Sequence, residues 1–269
     1  MTINITVTNL KGGVGKTTTS GLLALFLTEH RKDPVLLIDV DPQCGSTSLF
    51  LGGKDTHPLT IKDALVAAME GDDTSEIMRD SLINVPGKPN LFVIPSDKRL
   101  TDMISGVPAD LLLNVIQSAE FSDETIVIID TGTAQGMVGM GICAADMVLV
   151  PMTMSKQTVK PTMNTLTMTA RFHKPLLGIL PTVSGEAQWE NKILDFWQST
   201  LNESAGLKPL GGVILPRVPF SKSLIRGAWA KMPFPENLES VFDAIYTRAF
   251  GASALPALPI VETLEVING

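Results

Sequence analysis

An α/β fold is predicted for this 269-residue chain: a single domain with a twisted, mostly parallel β-sheet flanked by helices on both faces. Three features predict it. Apolar runs of strand length alternate with helix-length patterns along most of the chain, as in repeated β-α-β units. Some of those apolar runs are continuous rather than alternating, which suits parallel strands covered on both faces. A glycine-rich stretch also stands between the first strand and the first helix, at the edge where open parallel sheets take ligands.

Ile3 to Thr8 reads as the first buried strand, and Thr17 to about Arg31 as a helix with Leu22, Leu23, Leu25 and Phe26 on its apolar side. Between them lies Lys11-Gly12-Gly13-Val14-Gly15-Lys16-Thr17-Thr18. An ordinary strand-to-helix turn needs one glycine for positive φ, whereas this one has three, flanked by lysines on both sides. Such a loop binds phosphate: its N–H groups cradle the anion, Lys16 reaches the β/γ-phosphates, and the Thr17 hydroxyl ligates Mg2+. The helix N-terminus adds positive dipole beneath the anion. Leu10 stands where the usual phosphate loop has its first glycine, and Lys11 is an added lysine, so the loop is a deviant form.

After Pro34, Val35 to Ile38 is a strand ending in Asp39-Val40-Asp41-Pro42-Gln43, which puts two carboxylates at the C-terminal edge beside the loop. Thr60 to Glu70 reads as an amphipathic helix broken at Gly71, and Asn90 to Ile94 as a strand closed by Pro95; residues 74–89 give no clear pattern. Asp97 to Glu120 is expected to be helical, with interruptions near Gly106 and Pro108. Thr125 to Ile129 is five β-favouring residues running into Asp130, the pattern of the second carboxylate that supports Mg2+ in phosphate-loop ATPases. Strands are then expected at Met147 to Val150, Pro175 to Leu180 and Gly212 to Leu215. Helices are expected at Thr158 to Phe172, Glu186 to Asn202 and Glu236 to Ala249. Residues 1–250 form the expected nucleotide-binding domain, and 251–269 a C-terminal tail.

Composition narrows the function. With 44% hydrophobic and 18% charged residues the chain can bury a sizeable core, and a formal charge of −7 supplies no global basic field toward nucleic acid or anionic membrane. Any such contact needs a local patch. Cys44 and Cys143 lack CxxC spacing, which argues against a zinc site or a disulfide scaffold and fits a reducing cytoplasm. No apolar run approaches the roughly 20 residues of a membrane helix, and the first strand begins too early for a signal peptide.

The stretches Lys11 to Thr18, Asp39 to Gln43 and Ile126 to Asp130 together resemble the ParA/MinD group of deviant phosphate-loop ATPases, and within it the ParA-type partition proteins. Gly178 to Thr182 and Ile214 to Arg217 are weaker matches. The resemblance implies ATP and Mg2+ as cofactors, held by Gly12, Gly13, Val14, Gly15, Lys16, Thr17 and Thr18, with Pro216 and Arg217 also at the nucleotide. It implies that Lys11 crosses an ATP-sandwich homodimer to the partner's nucleotide, and that Asp41 orients or activates the attacking water. Thr17 would ligate the metal, and Asp39 and Asp130 would support it through its hydration shell. The group usually follows its second metal motif with two prolines; this chain has Thr131-Gly132-Thr133-Ala134.

The function so implied is a slow ATPase switch that binds DNA non-specifically as an ATP dimer. It would partition plasmid or chromosome DNA with a ParB-like centromere-binding partner, cytoplasmic and nucleoid-associated when ATP-bound. The alternative is a ParA/MinD-type ATPase that positions a protein assembly or acts at a membrane surface. Membrane binding is disfavoured because Ala252 to Gly269 carries two glutamates and no Lys or Arg. An electron-transfer ATPase would need two cysteines flanking the second metal motif, and Cys44 follows the first instead. The candidate DNA surface is Arg217, Lys222, Arg226 and Lys231, interleaved with Phe220 and Trp229. No room precedes the first strand for a helix-turn-helix, so operator recognition is expected to fall to the partner.

Overall fold

The computed structural model describes residues 2–30, 34–52, 57–103, 106–183, 188–202, 208–209, 215–216, 218, 230 and 233–251. In chain order the elements are β1 (Ile3–Val7), α1 (Lys16–His30), β2 (Val35–Val40), α2 (Gly45–Leu51), α3 (Ile61–Glu70), α4 (Ser75–Asp80), β3 (Ile83–Asn84), β4 (Leu91–Ile94) and α5 (Leu111–Ser118). Then come β5 (Ile126–Thr131), α6 (Gln135–Ala144), β6 (Met147–Thr153), α7 (Lys156–Arg171), β7 (Pro175–Thr182), α8 (Gln188–Asn202), β8 (Lys208–Pro209) and α9 (Glu239–Phe250). Single 3₁₀ stretches cover Lys98–Met103 and Glu236–Leu238.

Among the described residues eight strands make one sheet in the order β3-β4-β2-β5-β1-β6-β7-β8. Every pairing is parallel except β3 with β4. The side-chain alternation of a strand sorts its residues into two cores. Val35 and Leu37 of β2, with Ile126 and Ile128 of β5, pack with the α1 leucines and with Phe234, Phe242 and Tyr246 at the chain's C-terminal side. Leu36, Ile38, Val127 and Ile129 point the other way, into α3, α5 and α6. Farther along that second face, α7 and α8 cover β6 and β7 around the buried Trp197. Helices therefore lie on both faces, and β2 and β5, buried at every residue, read as unbroken apolar runs for that reason.

The structure departs from the sequence expectations in four places. Residues 74–89 hold the short helix α4 and the antiparallel edge strand β3. The span from Asp97 to Glu120 is a 3₁₀ stretch followed by α5, which starts only at Leu111, beyond Pro108. Two helices, α2 and α6, were not expected at all. The expected strand Gly212 to Leu215 falls mostly outside the described residues; Leu215 N donates to Ile179 O at 2.9 Å, and Val218 N to Pro181 O at 2.8 Å, so this part of the chain runs along β7. The tail beyond Gly251 lies outside the described residues. No helix among those described is long and apolar enough to cross a membrane.

Candidate active site

Parallel pairing brings the C-terminal ends of β1, β2 and β5 to one edge, with Val7 opposite Asp130 and Asp130 opposite Asp39. The glycine loop leaves β1 there. Gly13 and Gly15 have φ of 72° and 86°, a region an L side chain occupies only with strain, so the cradle needs glycine at both. Val14 between them is buried and its carbonyl accepts the Thr182 hydroxyl at 2.7 Å, which ties the loop to the end of β7. A cleft of about 490 Å³ opens over the loop, with Lys16, Thr17, Thr18 and Asp41 in its wall and Gln43, Thr133 and Val183 around it.

Lys16 starts α1 with its side chain folded into the loop, and Nζ donates to Lys11 O at 3.3 Å. Burial pulls its pKa down, opposed by the nearby charges of Asp130 and Asp41. Thr17 sits against the first turn of α2: a Cβ added to Gly45 would lie 2.9 Å from Thr17 Oγ1. Lys11 is half-buried at the loop's entrance, its N–H bonded to Asn9 Oδ1 at 3.0 Å.

The three aspartates differ in what surrounds them. Asp130 is fully buried and accepts Ser20 Oγ at 3.1 Å and Ser46 Oγ at 2.6 Å. Burial raises its pKa against the hydroxyls of Ser46 and Thr17 and the charge of Lys16. Asp39 is also fully buried; Oδ2 accepts both Thr47 N and Thr47 Oγ1 at 2.8 Å, and Oδ1 accepts Asp41 N at 3.1 Å. Burial, then the charge of Asp130, raises its pKa. Three protein donors thus occupy most of the acceptor capacity of Asp39, and it holds the Asp41 backbone in place. Asp41 alone of the three lines the cleft. Its Oδ1 accepts Gln43 N at 3.0 Å and its carbonyl accepts Ser96 Oγ at 2.7 Å, so both ends of the residue are fixed.

The departure after Asp130 has a structural use. A Cβ on Gly132 would stand 3.1 Å from Asp41 Oδ1, so a glycine lets the two segments close together. Thr131, buried before it, shares a 2.7 Å hydrogen bond with Thr8.

The residues present fit a Mg2+-nucleotide. The donors near Thr17 are hydroxyl and carboxylate oxygens, the hard ligands Mg2+ takes, and no cage of three or more His, Cys, Asp or Glu exists among the described residues. A small, dehydration-resistant ion held by one hydroxyl, phosphates and waters needs no such cage. Sequence reasoning found the loop and the three aspartates, and named Thr182 and Gly132 only as part of a weaker match and of the departure after Asp130; it missed Ser20, Gly45, Ser46 and Thr47. Only Ser46 and Thr47 carried a signal, as small hydroxyl residues directly after the acidic motif. Pro216 is exposed beside the end of β7; Arg217, Lys222, Arg226 and Lys231 lie outside the described residues.

A family model described as an AAA domain matches residues 2–177. The chain is 30% identical over 192 residues to Maintenance of carboxysome distribution protein A of Gloeothece citriformis, covering 66% of this chain and 69% of that protein. It is 32% identical over 152 residues to Sporulation initiation inhibitor protein Soj of Bacillus subtilis, covering 55% and 56%. Among solved structures, an ATP complex of McdA from Cyanothece superposes with a TM-score of 0.75 at 22% identity, covering 96% of this chain and 98% of that one.

Proposed function

This chain belongs to the ParA-type family of phosphate-loop partition ATPases, and from that premise we propose that it is an ATP-dependent dimerising switch. It hydrolyses ATP slowly with Mg2+, binds DNA without sequence preference in its ATP state, and distributes a cargo together with a ParB-like partner. The observation that carries the reading is the placing of Lys16, Thr17 and Asp41 in the wall of one cleft over a glycine cradle.

When bound, the Mg2+-nucleotide supplies a γ-phosphoryl group open to in-line attack, with the metal neutralising part of its charge. The loop N–H groups, Thr18 and the start of α1 hold the phosphates, Lys16 neutralises β/γ charge, and Thr17 offers its hydroxyl to the metal. Asp41 orients the attacking water. Asp39 acts through Asp41, whose N–H it holds, and Asp130 acts through Ser46, Ser20 and Thr17. Lys11 leaves the cradle for the partner subunit's nucleotide, where its charge stabilises the transferring phosphoryl group much as an arginine finger does. Hydrolysis then requires the dimer.

The test is sedimentation and turnover together. Wild type should dimerise with a non-hydrolysable ATP analogue and not with ADP. Asp41→Ala should dimerise equally while its kcat falls by about 10²-fold or more, the range for removing an acid–base group. A wild type that stays monomeric with the analogue sinks the switch; wild-type hydrolysis in Asp41→Ala removes that residue from the chemistry.

A second reading changes only the cargo. The relative matched over 66% of this chain is named for carboxysome distribution, which supports a protein assembly as the thing moved. Capture of DNA repeats by the partner protein favours the first cargo, and capture of a protein assembly the second.

A further inference from the structure

The buried face of α7 carries four threonines at helical spacing, Thr158, Thr162, Thr165 and Thr169. Hydroxyls are poor filling for a helix–sheet contact, because a buried polar atom costs stability unless it has a partner. Two of them take partners in the approach to the phosphate loop. Asn9 Nδ2 donates to Thr162 Oγ1 at 2.9 Å, and Leu10 N donates to Thr165 Oγ1 at 3.1 Å. Asn9 is itself fully buried and also donates to Pro151 O at 2.9 Å, while its Oδ1 accepts Lys11 N. Helix α7 therefore grips the backbone of Leu10 directly and that of Lys11 through Asn9, upstream of the glycines that cradle the nucleotide.

We propose that Thr162 and Thr165 are positioning residues for Lys11. This rests on the reading of Lys11 as the residue that reaches the partner's nucleotide. A lysine side chain has a flexible four-carbon stem, so the fold controls its ammonium chiefly through the backbone it leaves from. A misplacement of about 1 Å at a catalytic group costs on the order of 10²-fold in rate. Thr162 and Thr165 remove that freedom without touching nucleotide.

The experiment compares Thr162→Val/Thr165→Val, Thr162→Ser/Thr165→Ser, Thr169→Val and Lys11→Ala in the full chain. It measures ATP affinity, nucleotide stoichiometry, and kcat per bound nucleotide at a protein concentration where wild type is dimeric. The valine pair should bind ATP within about threefold of wild type and lose about tenfold or more in kcat, approaching Lys11→Ala. The serine pair keeps both hydroxyls and should recover turnover to within about twofold of wild type. Thr169→Val, whose hydroxyl bonds only back to Thr165 O in its own helix at 3.0 Å, should turn over normally. A merely structural defect would lower stoichiometry and leave kcat per bound nucleotide unchanged. If the valine pair does not fold, Thr162→Val and Thr165→Val made singly carry the comparison, the first removing the Asn9 bond and the second the Leu10 bond. Wild-type kcat in the valine variants beside a lost kcat in Lys11→Ala overturns the positioning role alone. Wild-type kcat in Lys11→Ala overturns the reading of Lys11 and this proposal with it.

Discussion

Lys16, in the wall of the cleft, and the buried Asp130 feel each other's charge, and each is shifted toward its neutral form by burial. A 3.3 Å bond to Lys11 O and the field of the aspartates offset the desolvation of Lys16 within the protein. A phosphate in the cradle would add a full opposite charge, so Lys16→Ala should weaken ATP binding by about 100-fold or more, as for a truncated buried charge pair, measured by equilibrium titration. Affinity within a few-fold of wild type would remove the phosphate-loop assignment. The carboxylates make a pH prediction. Asp39 and Asp130 have pKa values raised in the folded state, so they bind more protons folded than unfolded between the ordinary carboxylate range and the raised values. Their contribution to stability is full below the unfolded pKa and is lost as pH rises through the folded one. The nucleotide-free protein should therefore lose stability on going from mildly acid to neutral pH. Asp130→Asn should flatten that loss, its new amide being able to donate to Ser20 Oγ, which then turns to Lys16 O at 3.1 Å. Melting temperature against pH for both proteins checks it; parallel curves would rule out Asp130 as a source.

At the scale of elements, the site depends on α2 as much as on the loop. Its first turn supplies Ser46 to Asp130 and Thr47 to Asp39, and Gly45 lets it approach Thr17. Gly45→Ala would place a methyl group 2.9 Å from the Thr17 hydroxyl, so either α2 or Thr17 must shift. ATP affinity should fall by about tenfold with Mg2+ present and by much less with the metal chelated, since the hydroxyl is the group disturbed. Equal losses in both conditions would mean the damage is to the loop rather than to the metal ligand. None of this was visible beforehand, because Gly45-Ser46-Thr47-Ser48 is a poor helix former and reads as a turn. Tertiary bonds to two buried aspartates hold it instead. Helix α6 was hidden for a related reason: Gly136, Gly139 and Gly141 look like breakers. Yet a Cβ on Gly141 would stand 2.5 Å from Thr131 Cγ2, and its carbonyl accepts Thr6 Oγ1 at 2.7 Å, so glycine is what lets α6 lie close on β1 and β5. What the sequence did disclose was the part whose pattern is local: continuous apolar strands, the amphipathic α3, and a loop whose glycines and lysines have a function independent of context. The hydroxyl network behind the aspartates arises only from chain segments far apart in sequence, such as Ser20 and Ser46 meeting at Asp130.

For the whole molecule, the DNA binding proposed above has to arise on an acidic chain, net −7. A monomer should bind weakly, because its overall field repels phosphate. A dimer carries two copies of the stretch from Arg217 to Lys231, four basic residues each if Arg217, Lys222, Arg226 and Lys231 all take part. If Lys11 makes dimerisation depend on ATP, as proposed, DNA binding should depend on ATP as well. Each phosphate neutralised releases counterions, and log affinity should fall linearly with log salt at about −0.9 per phosphate contacted, with little preference for sequence. Charge reversal at Lys222 or Arg226 should flatten that slope by about one unit or more per dimer while leaving ATP affinity unchanged. Titrations of duplex DNA at several salt concentrations, with ATP analogue and with ADP, measure both quantities. Binding that survives reversal of both residues with its slope intact places the DNA surface elsewhere on the dimer. No binding at low salt with the analogue, in a protein that does dimerise, would mean that the switch acts on a protein scaffold instead.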